Sequence, residues 1–246
     1  MNATPVKVTV WNEFRHERNR PDVRSIYPEG MHAVIANAIG AAGDIVCRTA
    51  TLDEPWHGLS AERLRDTDVL VWWGHAAHGE VSDDIAGQVR REVLAGMGFV
   101  ALHAAAGSKV FRGLMGTHCT FKWREAGERE RIWTINPSHP VAEGLPESWM
   151  LREEEMYGEP FTVPTPDDVV FISWFAGGEV MRSGCCWQRG HGRVFYFRPG
   201  HESHPTYHDP NVTRVIANAC RWARRRVTID SSASYNSPPL EQSGGH

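Results

Sequence analysis

Three features of the chain predict an α/β fold with a mainly parallel central sheet and extra antiparallel strands. Strand-like and helix-like segments alternate from the start of the chain to Leu102. The runs Asp68–Trp73, Phe99–Leu102 and Arg193–Phe197 are apolar without alternation, as in strands covered on both faces. The length of 246 residues suits one large domain and leaves little room for a second core.

The elements follow in order. Val6–Trp11 reads as a strand, with Val6, Val8 and Val10 on one face. Gly30–Ala42 has a helical period through Met31, Val34, Ile35, Ala38 and Ile39 and stops at Gly43. Asp44–Ala50 is the second strand. Ser60 caps a short helix through Arg65, and Asp68–Trp73 runs as a buried strand into Gly74-His75. Ser82-Asp83-Asp84 is an N-cap for a helix reaching Ala95. Phe99–Leu102 is the fourth strand. Residues 117–190 are less regular; Arg131–Ile135, Asp168–Trp174 and an apparent hairpin, Glu179–Trp187, are predicted as mixed or antiparallel strands. Arg193–Phe197 returns as a strand, and Asn211–Arg224 closes the domain with Val212, Val215, Ile216 and Ala219 on one helix face. The prediction is one domain over 1–226, followed by a Ser/Pro/Gly-rich disordered tail over 227–246.

A net charge of −4 gives no electrostatic reason to expect nucleic acid or an anionic membrane as partner. No apolar run approaches the roughly 20 residues that span a bilayer, and no signal-peptide core is evident. Cys47, Cys119, Cys185, Cys186 and Cys220 are odd in number and lack a CxxC pair, so a reduced, cytoplasmic protein is expected. The 13 histidines and 10 tryptophans are more telling, because many of them fall beside predicted strand ends.

The strand Phe99–Leu102 stops at His103 among small residues. Such a strand-to-helix elbow holds the Ser or Cys nucleophile of many hydrolases. An imidazole there points instead to a metal ligand or a general acid/base. His16, His75 (with His78 close by) and His201 likewise follow predicted strands, and the C-terminal ends of parallel strands share one edge. Any one of them alone reads equally as a core histidine bonded to backbone; their coincidence favours a shared site. His16, His103 and His201 are candidate ligands for zinc or a similar divalent ion. Glu153-Glu154-Glu155-Met156-Tyr157 supplies a carboxylate as ligand or general base. Gly200-His201-Glu202 resembles part of a hydrolytic triad but has no nucleophile to serve. Cys119 is expected to be buried away from the cleft floor. Trp72, Trp73, Trp123 and Trp174 could stack on a sugar ring or simply fill core.

Together these segments resemble the ThuA-like (trehalose-utilisation) family, over Val6 to about Ala223. The carriers are Trp11–Glu17, Asp68–His75, Gly98–His103, Leu114–Gly116, Glu154–Gly158 and Phe197–Glu202. The resemblance implies a flavodoxin-like three-layer sandwich of the class I glutamine-amidotransferase type, with Leu-His in place of the amidotransferase cysteine. It matches His16, His103, Glu155, Tyr157 and His201, and less securely His75. It implies sugar catabolism, with oxidised (3-keto) disaccharides or glycosides as substrates. The expected protein is a cytoplasmic enzyme catalysing metal-assisted isomerisation, elimination or hydrolysis. Its expected catalytic residues are Glu155, Tyr157 and His75; its expected substrate contacts are Asn12, Glu13, Trp73 and Trp123. The alternative is a non-catalytic sugar-binding or regulatory protein on the same scaffold. Its partner is a small sugar or keto-sugar, not nucleic acid or membrane, and homo-oligomerisation stays open.

Overall fold

In the computed structural model, which describes residues 4–229, 234 and 236–241, nine strands form one sheet. The strands are β1 (Val6–Asn12), β2 (Ile45–Thr51), β3 (Val69–Trp73), β4 (Gly98–Leu102), β5 (Lys122–Thr134), β6 (Ser148–Gly158), β7 (Asp168–Phe175), β8 (Val180–Arg189) and β9 (Gly192–Phe197). The helices are α1 (His16–Asn19), α2 (Pro21–Ile26), α3 (Met31–Gly40), α4 (Ala61–Arg65), α5 (Asp83–Leu94), α6 (Lys109–Met115) and α7 (Pro210–Ala223).

The strand order is β2-β1-β3-β4-β9-β8-β7-β5-β6. Pairing is parallel from β2 to β9 and antiparallel from β9 to β6, four interfaces of each kind. The expected mainly parallel sheet is therefore corrected: the antiparallel ladders make up at least half of it. The source of the error is local. Most of the first half of β5 is exposed and carries no apolar alternation, and β6 contains the charged run Arg152–Glu155, so neither announces a long strand. Glu179–Trp187 is likewise not a hairpin but lies almost wholly within β8, which turns into β9 at Gly190.

Two cores sandwich the sheet. On one face Ile35 and Ile39 of α3 and Val215, Ile216 and Ala219 of α7 pack on Val8, Val10, Val71 and Val100. On the other, Val89 and Val93 of α5 and Phe111 of α6 pack on Leu70, Trp72 and Phe99. β3 and β4 are buried at every position, which is why they read as continuous apolar runs. The caps are as expected: Ser60 Oγ accepts from Arg63 N and Ser82 Oγ from Ile85 N. Gly98 must lack a side chain because a Cβ there would collide with the carbonyl of Ala223 at the end of α7. After α7 the chain runs back along the end of α5, where Ile229 N donates to Ala95 O at 3.0 Å. Of the expected tail, residues 230–233, 235 and 242–246 lie outside the described residues. No described helix is long and apolar enough to cross a membrane.

Candidate active site

The C-terminal ends of β1, β3, β4 and β9 meet along one edge of the parallel half, and β6 approaches it from the antiparallel half. His103 immediately follows β4 with φ +53°, a left-handed conformation that is costly for a side-chain-bearing residue. A 3-10 turn, His103–Gly107, then leads into α6, so the elbow is where the apolar run placed it. His75 follows β3, the segment Arg198–Glu202 follows β9, and His16 opens α1 after β1.

The four histidines form one cluster with two carboxylates. Ring centroids are 5.2 Å apart for His16 and His75, 5.7 Å for His75 and His201, and 5.5 Å for His103 and His201. The cluster resolves into two adjoining triads, His16–His75–Glu202 and His103–Glu155–His201. His16 is thus a neighbour of the His103–His201 pair rather than a third member of it.

Glu202 is fully engaged. It lies 3.2 Å from His16 Nδ1, 3.1 Å from His75 Nδ1 and 3.1 Å from Arg20. Burial alone would raise its carboxyl, but the bond from His75 and the surrounding histidines hold it far below the usual carboxylate range. Glu202 in turn raises the His75 imidazole against its own desolvation. Glu155 differs. Its Oε2 is 3.2 Å from His103 Nε2, close enough for an ion pair, yet buried without a hydrogen-bond partner. Burial pushes its carboxyl up, and the overriding influence of His103, His201 and His75 holds it below its ordinary value. Glu155 is therefore ionised and under-satisfied.

Tautomers follow from partners. His103 Nδ1 is 3.0 Å from the carbonyl of Arg198, which can only accept, so Nδ1 carries a hydrogen and, in the neutral ring, Nε2 presents a lone pair. Tyr157, held protonated by its burial, has its hydroxyl 3.2 Å from that Nε2. At His201 the assignment is reversed. Nδ1 accepts the backbone N–H of Ser203 at 3.2 Å, so in the neutral ring Nε2 carries the hydrogen and faces Glu202 and Glu155 at 3.5 and 3.9 Å. Burial and the charge of His103 push the His201 imidazole down to about 4.

Behind the cluster lies a fully buried charge network. Arg198 donates to Glu130, to the Glu155 carbonyl at 2.5 Å, and sits 3.2 Å from Glu154. Glu154 accepts from the backbone N–H of Gly200 and His201 and from Thr206. Arg198 thus fixes His103 through one carbonyl and Glu155 through another. Three expected substrate contacts are bonded within the protein and do not line the cavity beside the cluster. Asn12 donates to Glu17 and lies 3.1 Å from His32 Nδ1. Glu13 accepts the backbone N–H groups of His75, Ala76 and Ala77 at 2.8–2.9 Å. Trp73 is buried and donates to the Gly200 carbonyl. Trp123 alone of the four is open, 66% exposed.

A cavity of about 340 Å³ opens beside the cluster, within the small-molecule range. Glu155, Tyr157, His75 and Trp123 line it, whereas His103 and His201 stand behind the lining. Cys119 also lines it, against the expectation that it would lie away from the cleft, although it is buried and its thiol is raised by desolvation. Sequence reasoning missed Glu202 as the hub of three histidines, although it directly follows His201. It also missed Arg198, whose position after a buried run reads only as a strand end.

As ligands for a divalent ion, His103 Nε2 and Glu155 Oε2 fit: both offer lone pairs at a spacing close to that of neighbouring zinc ligands, roughly 3–3.5 Å. His201 fits only by giving up the Ser203 bond, since its Nε2 carries the hydrogen.

No curated protein matches the chain. Among solved structures, a protein described as ThuA-like from Bacteroides uniformis superposes with a TM-score of 0.65 at 17% identity, covering 91% of this chain and 93% of its own. Another so described, from Parabacteroides merdae, gives 0.66 at 14% identity, covering 93% and 94%. A cytoplasmic protein of Salmonella typhimurium gives 0.53 at 14%, covering 78% and 87%. These likenesses show a shared fold. The ThuA family, described as trehalose utilisation, matches residues 7–223, and those limits enclose every strand but the first residue of β1 and every residue of the two triads: the chain belongs to the ThuA family.

Proposed function

We propose that the cleft belongs to a sugar-metabolising enzyme that moves protons on a keto-sugar or glycoside, giving isomerisation, elimination or hydrolysis. The supporting observation is Glu155: an ionised, buried carboxylate on the cavity wall, with one oxygen unpartnered and an imidazole 3.2 Å behind it. A carboxylate so placed can take a proton from a carbon beside a carbonyl or from an attacking water. His103 Nε2, with its own Nδ1–H committed to Arg198, can then accept that proton and leave Glu155 ready for the next turnover. Tyr157 and His75 also reach the cavity, and both can donate to a substrate oxygen as charge develops on it. The stack of Phe121 on Tyr157 and of Tyr157 on His103, with centroids 4.1 and 4.7 Å apart, holds the phenol and imidazole in place. Trp123 offers an exposed ring at the mouth for a sugar face.

Zinc belongs to this proposal as an alternative occupant of the same pair, which His103 Nε2 and Glu155 Oε2 would hold in place of moving a proton themselves. It would supply Lewis-acid polarisation of a substrate carbonyl. The cytoplasm is the proposed location, in line with the cytoplasmic description of a structural neighbour.

The test is turnover of 3-keto-glycosides by purified protein, with elemental analysis for zinc. Glu155→Gln should lower kcat by roughly 10²–10⁴ at unchanged melting temperature. Tight sugar binding with no turnover by the wild type would establish the non-catalytic alternative instead.

A further inference from the structure

The cavity wall carries one carboxylate, Glu155, and one permanent cation, Arg112. Among the described residues Arg112 makes no ion pair and no side-chain hydrogen bond. Arginines near the histidine cluster but outside the cavity lining are paired, by contrast: Arg15 with Asp53 and Glu80, Arg18 with Asp53, Arg20 with Asp22 and Glu202. A guanidinium has five donors, no acceptor and no accessible neutral form, so an unpaired one in a cleft is matched by a planar or tetrahedral anion.

The position of Arg112 is well defined at its base. It lies on α6, whose Val110, Phe111, Leu114 and Met115 are buried in the second core. Arg112 itself is exposed. Close by is His78, seated against Gly107, where a Cβ would lie 2.9 Å from Nε2. Burial lowers the His78 imidazole, with Arg112 adding to the effect, so His78 is a neutral hydrogen-bonding group there. Thr120 brings a hydroxyl to the same wall.

We propose that the substrate is an acidic sugar, whose carboxylate or phosphate is received by Arg112 while Glu155 and Tyr157 face the reacting carbon. This rests on the proton-transfer reading above and adds the chemical class of substrate. A bidentate, charge-assisted contact of this kind makes Arg112 a specificity determinant.

Calorimetry with glucose, glucuronate and glucose 6-phosphate tests it. Wild type should bind at least one anion roughly tenfold or more tightly than glucose, and the preference should shrink as salt rises. The better of the two anions identifies the group as carboxylate or phosphate. Arg112→Gln should abolish the preference, leaving glucose affinity and melting temperature unchanged. Equal binding of all three sugars, no binding of either anion, or a preference that survives Arg112→Gln would each overturn the proposal. Glu155→Gln separates the two readings: it should spare the anion preference while removing turnover of 3-keto-glycosides. Unchanged turnover in that variant would refute the role of Glu155 but not that of Arg112.

Discussion

In the parallel half of the sheet the reactive groups sit just beyond strand ends, one histidine per turn; in the antiparallel half they sit along a strand, as Glu154, Glu155 and Tyr157 of β6. A turn can be exchanged without disturbing the strand that carries it. A side chain in mid-strand is tied to the ladder and to the core on its own face. Glu154 and Glu155 point to opposite faces of β6 by the ordinary pleat. One anchors the Gly200–His201 backbone through its carboxylate; the other faces the cavity. The antiparallel half therefore supplies the carboxylate on the cavity wall, and the turns of the parallel half supply the imidazoles together with Glu202.

The largest test of this division is Arg198, where the halves meet. Arg198→Met would leave Glu130 and Glu154 buried without a counter-charge, and should cost about 3–5 kcal/mol in urea unfolding. A loss below 1 kcal/mol would mean that the two carboxylates are protonated and the network is not ionic.

Acid should strike the imidazoles next. His201 and His32 both fold with a pKa of about 4, below the ordinary 6.5, because burial disfavours their charged forms. As pH falls, the unfolded chain binds these protons first. Their contribution is present above about pH 6.5 and is lost progressively down to about pH 4, by at most about 3 kcal/mol each. Unfolding free energies that stay flat from pH 7 to 4.5 would contradict this.

Smaller effects belong to the rim. Trp123→Ala should weaken sugar binding roughly twofold to tenfold while changing stability by less than about 0.5 kcal/mol, because the ring is exposed. Asp53→Asn breaks ion pairs with Arg15 and Arg18, yet these are solvent-screened and should register below about 1 kcal/mol by thermal melting.

The same division decides what could be read from the amino-acid order. Val69–Trp73 and Phe99–Leu102 are covered on both faces, so composition alone marks them, and the residue after each run is marked as a site. β6 is not marked, because its exposed and cavity-facing charges mask the pattern of Trp149, Leu151 and Met156. The histidines were legible by position, but their grouping was not. Which carboxylate joins which imidazole depends on how the turns after β1, β3 and β9 fold onto one another, and Glu202 decides that through contacts spanning 127 residues and more. The roles of Asn12, Glu13 and Trp73 were not legible for a related reason. A polar residue at a strand end can face the ligand or hold the next turn, and only packing distinguishes these.

β9 pairs in parallel with β4 on one side and antiparallel with β8 on the other. Its position as the seam bears on how the molecule reaches its native state. The cleft gathers segments from Glu13 to Glu202, so closing it requires the most distant contacts in the domain, which are slow to form. Either half could acquire secondary structure early, but a chain arrested before β9 enters the sheet would hold His16, His75 and His103 on one body and Glu155 and Tyr157 on another. Such an intermediate would expose the apolar flanks of β4 and β8 and be prone to aggregate. Joining the two sets of groups into one cleft thus depends on the placement of one six-residue strand.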